Sequence, residues 1–233
     1  MAAGRAASRP LPDLQQARVP AEGGAPRPVR EARGRGPRGQ GRRVGRLTTS
    51  VQELHTPRAR LREVRPDDAE ALLDIYGHPE GVRYLGRPPQ TLEQVQTRLQ
   101  RMREDIERGE AAFWVMTDPD ADRAFAYLGF FRWDPPHQSA ELGYVVAPAR
   151  WGQGLMREVL PVLVRHGFEV LGLHRMEARI DPGNVASIKL IERLGFKPEG
   201  ALRERTLNAD GSREDLLLFG LLRPEFDRAG VVG

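Results

Sequence analysis

Two groups of residues in this chain are spaced for chemistry. The first is a glycine turn, Trp151-Gly152-Gln153-Gly154, which follows a short apolar strand (Leu142 to Val146) and Pro148, and leads into an amphipathic segment opening at Leu155 and Met156. Strand, glycine turn and helix start in that order can offer main-chain N–H groups to a phosphate. Glycine lets the backbone come close, and the unpaired first-turn amides, with the helix dipole, favour an anion. A lone GxG is also compatible with an ordinary tight turn. The second group comes one crossover later: a strand, Met176 to Ile180, then Asp181-Pro182-Gly183-Asn184 and a short helix through Ser187, Ile188, Ile191 and Leu194. Asn184 is placed to cap that helix, and Ser187, three residues on, shares its face. Glu141 stands at the head of the first strand and by period two shares a face with Gly143 and Val145.

Other chemistries have less support. The chain has no cysteine, which excludes disulfides and thiolate catalysis and suits a reducing cytoplasm. His55, His78, His137, His166 and His174 show no metal-ligand spacing, so no metal is expected. No apolar run approaches the roughly 18 residues of a membrane helix, so no membrane partner is expected either. The net charge of +4 is unevenly placed: residues 1–50 carry 11 Arg against 3 acidic residues, a balance of +8, which leaves −4 for residues 51–233. Arginine outnumbers lysine 34 to 2, which reads as a codon-composition bias rather than a nucleic-acid interface.

The elements that must position these residues follow from periodicity. Residues 1–55 are rich in Arg, Gly, Pro and Ala without aliphatic spacing, and are read as a disordered tail that cannot offset its ordering entropy. A nucleic-acid arm, a membrane-surface patch and a solvated tail, the last including upstream DNA translated from too early a start, are the alternatives for it. One domain is expected over residues 56–226, with a short tail at 227–233. Thr56 to Arg65 reads as a strand that ends where Pro66 and Asp67 open a helix, itself stopped by Gly77 and Pro79. Thr91 with Gln94 forms a capping-box signature for a second helix to about Arg108, with Leu92, Val95, Leu99, Met102 and Ile106 at helical spacing. Ala112–Met116, Ala124–Trp133 and Ser139–Val146 suit an antiparallel meander, and Phe196–Arg205 with Arg213–Leu222 flank an Asp-Gly hairpin signal. Trp114, Trp133 and Phe131 read as core or rim. The helix from Leu155 to Leu171 contains Pro161, which predicts a kink. The fold class is therefore α+β: a mostly antiparallel sheet of about seven strands, about four helices, and one parallel crossover.

The ordered set ELGY at Glu141–Tyr144, WGQGLM at Trp151–Met156, DPGNVAS at Asp181–Ser187 and LGF at Leu194–Phe196 resembles the GNAT superfamily of acyl-CoA-dependent N-acetyltransferases, and within it the ribosomal-protein-alanine (RimJ/RimL-like) branch. The resemblance covers roughly Thr56 to Phe226. It implies a splayed central strand pair, with acetyl-CoA as co-substrate. The pyrophosphate would sit on amides of Trp151, Gly152, Gln153, Gly154, Leu155 and Met156, and the pantetheine arm and acetyl carbonyl would meet main chain at Val145 and Val146. Arg150 could add charge there, or be a solvated loop arginine. Asn184 would be a cap, or a cap whose amide also holds the pantetheine. Tyr84, between the two early helices, would face the substrate or simply pack on the sheet. The chain departs from the wide superfamily pattern at Trp151 and Met156, both admitted by the branch, and at Ile191, where many members carry a tyrosine acid. Ser187 is then the candidate acid, or an ordinary first-turn serine.

Glu141 is the candidate base, or a solvent-facing strand residue. An amine attacks only when neutral: an α-amine (pKa about 8) is roughly a tenth neutral at pH 7, whereas a lysine (about 10.4) costs about 3 kcal/mol more to deprotonate. A carboxylate acting through water suffices for the first. The expected activity is transfer of acetyl to a protein N-terminal α-amine in a ternary complex, by a monomer or homodimer. A small-molecule amine acceptor and a non-catalytic acyl-CoA-binding module are the alternatives.

Overall fold

The structure, a computed structural model, describes residues 51–208 and 211–229. The reading of the first fifty residues as a disordered tail, and the tip of the Asp-Gly hairpin at 209–210, lie outside the described residues. Eight strands form one sheet: β1 (Leu54–His55), β2 (Arg60–Glu63), β3 (Ala112–Thr117), β4 (Ala126–Asp134), β5 (Ser139–Val146), β6 (Arg175–Ile180), β7 (Lys197–Leu207) and β8 (Arg213–Leu222). Their order is β1-β2-β3-β4-β5-β6-β8-β7. Six α-helices are described: α1 (Ala69–Tyr76), α2 (Pro79–Val82), α3 (Leu92–Glu107), α4 (Leu155–Glu169), α5 (Val185–Arg193) and α6 (Arg223–Ala229). The strand β1 lies in the stretch read as tail, paired antiparallel to β2, and α6 runs past residue 226. The expected strand from Thr56 shrinks to four residues because the N–H of Arg58 bonds the Glu158 carboxylate at 3.0 Å instead of a neighbouring strand, and Pro57 has no N–H to give.

Local sequence explains the elements. Thr91 Oγ1 accepts from the Gln94 N–H at 3.3 Å while Gln94 Oε1 accepts from the Thr91 N–H at 2.9 Å, so the capping box closes the start of α3. Val95, Leu99, Met102 and Ile106 are its buried face. In β6 the odd residues Arg175, Glu177 and Arg179 alternate with buried Met176, Ala178 and Ile180. β3 is buried at every position, with Trp114 edge-on to Phe130 and His166 in the core. Helix α4 continues through Pro161 as one element.

One joint in the sheet matters for function. β5 and β6 are its only parallel neighbours among the described strands, and they pair at just three positions, Ser139 with Arg175, Ala140 with Met176 and Glu141 with Glu177. Beyond Glu141, β5 stays with β4 as far as Val146 while β6 stays with β8 as far as Ile180. The two strands therefore splay, and the edge of β5 from Leu142 to Val146 opens into a wedge.

Candidate active site

The wedge leads into a cleft of about 1340 Å³. At one end lies the glycine turn. Gly152 and Gly154 have φ of 74° and 76°, the left-handed region that favours glycine. A Cβ on Gly152 would meet no atom within 4 Å, and one on Gly154 only Arg58 Nη2 at 3.8 Å. The glycines are there for backbone conformation, and the space outside them is open. Among the described residues, the amides of Gly152, Gln153, Gly154, Leu155 and Met156 meet no protein acceptor, the last two because they open α4. Trp151 departs from the expected set: its N–H is taken by Pro148 O at 3.1 Å. Its indole Nε1 donates to Val146 O at 2.8 Å and pins the turn to the end of β5. Arg58 braces the turn from outside, bonding Gln153 O at 3.0 Å and Glu158 at 2.7 Å. Arg150, a candidate phosphate ligand in the sequence, is spent elsewhere: it pairs with Asp118 at 2.5 and 3.1 Å and stacks 4.3 Å from the Phe125 centroid.

The N–H of Ala147 bonds Phe125 O at 2.8 Å, on the β4 side, so the Val146 carbonyl across the same peptide points away from β4, into the wedge. Alternation along the strand directs the main-chain groups of Tyr144 and Val146 into the wedge and those of Val145 toward its β4 partner Tyr127. The wedge-facing backbone is thus Tyr144 and Val146, and the expected main-chain role of Val145 is displaced by one residue. Since Trp151 occupies the Val146 carbonyl, the Val146 N–H is the group left for an incoming carbonyl.

Across the wedge, Asn184 Oδ1 accepts from the Ser187 N–H at 3.1 Å and caps α5. Ser187 Oγ lies 2.6 Å from Tyr144 Oη. This phenol is the residue that sequence reasoning missed. The signal was present, since period two sends Tyr144 to the face opposite Glu141, but nothing in the sequence paired it with a serine 43 residues on. Burial pushes Tyr144 up to about 12, with the Ser187 bond working the other way, so it stays an O–H donor. Ile191 is fully buried core and presents nothing to the cleft.

Glu141 lines the cleft and is only 7% exposed, so it does not face solvent. Its Oε2 is 3.2 Å from both Arg132 Nε and Arg179 Nε. Burial raises its pKa, against the pull of Arg179 and then Arg132. Arg132 reaches it from an irregularity in β4 between Phe131 and Asp134, with a positive φ of 52°. The chain of charges runs on from Arg179 to Glu177 (3.7 Å), to Arg175 (3.1 Å) and to Glu199. Tyr84 lines the cleft beside the loop that bears Asn184: a Cβ on Gly183 would lie 3.3 Å from its Cε1.

The site therefore combines a nest of free amides, an unpaired strand edge leading from it, a hydroxyl pair and a buried carboxylate. Those features suit a long ligand with a phosphate end and an amide-bearing arm, delivered to a basic group. Comparison with known proteins points the same way. Residues 58–197 match the family model described as acetyltransferase (GNAT) domain. The chain is 32% identical over 177 residues to the uncharacterized N-acetyltransferase p20 of Bacillus licheniformis, spanning 76% of this chain and 99% of that one. It is 29% identical over 182 residues to the ribosomal protein uS5-alanine N-acetyltransferase of Escherichia coli, spanning 74% of this chain and 92% of that one. Among solved structures, Mycobacterium smegmatis RimJ in complex with CoA-disulfide superposes with a TM-score of 0.63 at 25% identity, over 72% of this chain and 83% of its own.

Proposed function

Because this chain belongs to the GNAT acetyltransferase family and is an acetyl-CoA-dependent N-acetyltransferase, we propose that its acceptor is a protein N-terminal α-amine and that named residues of the wedge carry the transfer. The observation that carries this reading is the continuity between the free amides at Gly152–Met156 and the unpaired edge of β5. A diphosphate on those amides leaves an extended arm lying along β5, with its amides bonding Tyr144 and Val146 as a further strand would.

Acetyl-CoA supplies an activated acyl group as a thioester. The Tyr144 N–H, one wedge-facing step farther from the glycine turn than the Val146 N–H that meets the arm, is placed to polarise its carbonyl oxygen, and Ser187, held by the Tyr144 phenol, to donate to the sulfur. Glu141, through water, takes the proton that the amine sheds as the N–C bond forms and the C–S bond breaks, the thiolate leaving with the electron pair. Asn184 fixes the first turn of α5 and so the place of Ser187. The uS5-alanine enzyme among the relatives supports an α-amine acceptor. No described helix is long and apolar enough to cross a membrane; the reading sets the enzyme in the cytoplasm, as a monomer or homodimer.

Thiol release from acetyl-CoA, followed with alanine- and serine-initiated peptides, their lysine-only counterparts with a blocked N-terminus, and polyamines, tests the acceptor. Acetylation at the α-amine, located by mass spectrometry, is expected. Turnover confined to polyamines or lysine side chains would sink it in favour of a small-amine or side-chain enzyme.

A further inference from the structure

The acceptor side of the cleft contains two polar groups that the transfer chemistry leaves unused. Tyr76 ends α1 and Tyr127 lies on β4, their ring centroids 6.5 Å apart. Both line the cleft. Tyr76 is 2% exposed, yet among the described residues neither its hydroxyl nor that of Tyr127 has a hydrogen-bond partner. The buried polar atoms left without a hydrogen-bond partner among the described residues are Trp133 Nε1, Glu141 Oε2 and Arg179 Nε, so the two phenol oxygens open on the cleft itself, where a hydroxyl with no protein partner is placed to donate to a ligand atom. Phe113 packs 5.4 Å from Tyr127 and closes the apolar wall behind it. Arg98 lies 4.7 Å over the Tyr76 ring, held there by a 3.1 Å bond to Gln90 Oε1.

The position fits the acceptor. Tyr127 is the register partner of Val145, one residue from the wedge-facing Val146, and it lines the same cleft as Glu141. Burial raises both phenols, so each is an O–H donor throughout the physiological range. Two donors call for an acceptor oxygen beside the attacking nitrogen. A peptide N-terminus has one, the carbonyl on the carbon next to the amine-bearing carbon. A polyamine has none once its remote nitrogens are protonated, and the Arg98 guanidinium repels them. We propose that Tyr76 and Tyr127 form a subsite for the first peptide carbonyl of the acceptor, making α-amino amides the substrate class and excluding bare alkyl amines and polyamines. This rests on the transferase reading given above.

The test pairs acceptors with variants. Acetyl-CoA turnover is measured with an alanine-initiated tetrapeptide and alaninamide against isopropylamine and spermidine, each compared per free-base amine, in the wild type, Tyr76→Phe, Tyr127→Phe and the double variant. The wild type should favour the amides. Each variant should lose about three- to tenfold in kcat/KM on the amides, the range of one neutral hydrogen bond, with acetyl-CoA KM and alkyl-amine turnover unchanged. Equal losses on both acceptor types, or a preference for amides that survives the double variant, overturns the subsite. Calorimetric titration of the tetrapeptide into CoA-saturated protein separates the two readings. Binding weakened by the variants without turnover upholds the subsite and removes the transferase reading; neither binding nor turnover overturns both.

Discussion

At the scale of single residues, the Tyr144–Ser187 pair is the point where geometry constrains chemistry most. A departing thiolate, whose thiol titrates near ~8.5, is too weak a base to strip a phenol held at about 12. The pair therefore stabilises the leaving sulfur by donating a hydrogen bond and does not hand over a proton. Tyr144→Phe and Ser187→Ala should each lower kcat roughly tenfold, the scale of a hydrogen bond to a charged group, with acetyl-CoA KM nearly constant and the shape of the pH profile kept. Because both act through one contact, the double variant should lose little more than either single one in steady-state kinetics. Glu141 gives the complementary prediction. A base works deprotonated, and burial raises this carboxyl, so kcat/KM should climb with pH through a value above the ordinary carboxylate range. Removing the Arg179 guanidinium (Arg179→Met) takes away the largest of the three arginine influences that lower it. The lower acid limb of the pH–rate profile should then move further up, and Glu141→Gln should remove that limb and leave only the one set by the amine's own ionisation at about 8; a lower limb that stays put in Arg179→Met counts against Glu141 as the base.

At the scale of elements, the glycine turn carries the prediction. Gly154→Ala places a side chain at φ 76° in open space, so the change is one of backbone strain without a clash. It should cost about 1 kcal/mol of stability while raising acetyl-CoA KM severalfold, because a shifted backbone re-aims the amides that follow; unchanged KM and CoA affinity by calorimetry would remove the turn from phosphate binding. The turn, the capping box of α3 and the parallel crossover were legible in the sequence because each is written within a few consecutive residues. What escaped depends on distance along the chain. Tyr144 meets Ser187 only after α4 and β6 have turned the chain back on itself. Trp151 looks like a source of one more amide until its N–H is seen bonded to Pro148 O. Arg150 looks free until Asp118 is folded against it. β1 is too short, at two residues, to leave any period.

At the scale of the whole molecule, one buried ion pair ties β2 to the N-cap of α1. Arg62 and Asp68, 2% and 4% exposed, make a two-bond fork at 2.7 and 2.9 Å, and Asp122 closes the other side of the guanidinium. Asp68→Asn leaves a buried arginine short of its partner and should cost about 3 kcal/mol, read as a fall in Tm of roughly 10 °C for a domain of this size. Acetyl-CoA kinetics at low temperature should hardly change, since the pair is remote from the wedge. The sheet itself is two rafts, β1 to β5 and β6 with β8 and β7, sewn together by a seam of three residue pairs. Past that seam the wedge side of β5 has no neighbouring strand to take its amides. In deuterated water the peptide hydrogens of β5 should therefore exchange in a zebra pattern, fast at Tyr144 and Val146 and slow at Gly143 and Val145, and the stripes should fade once CoA fills the gap and the rafts close into one.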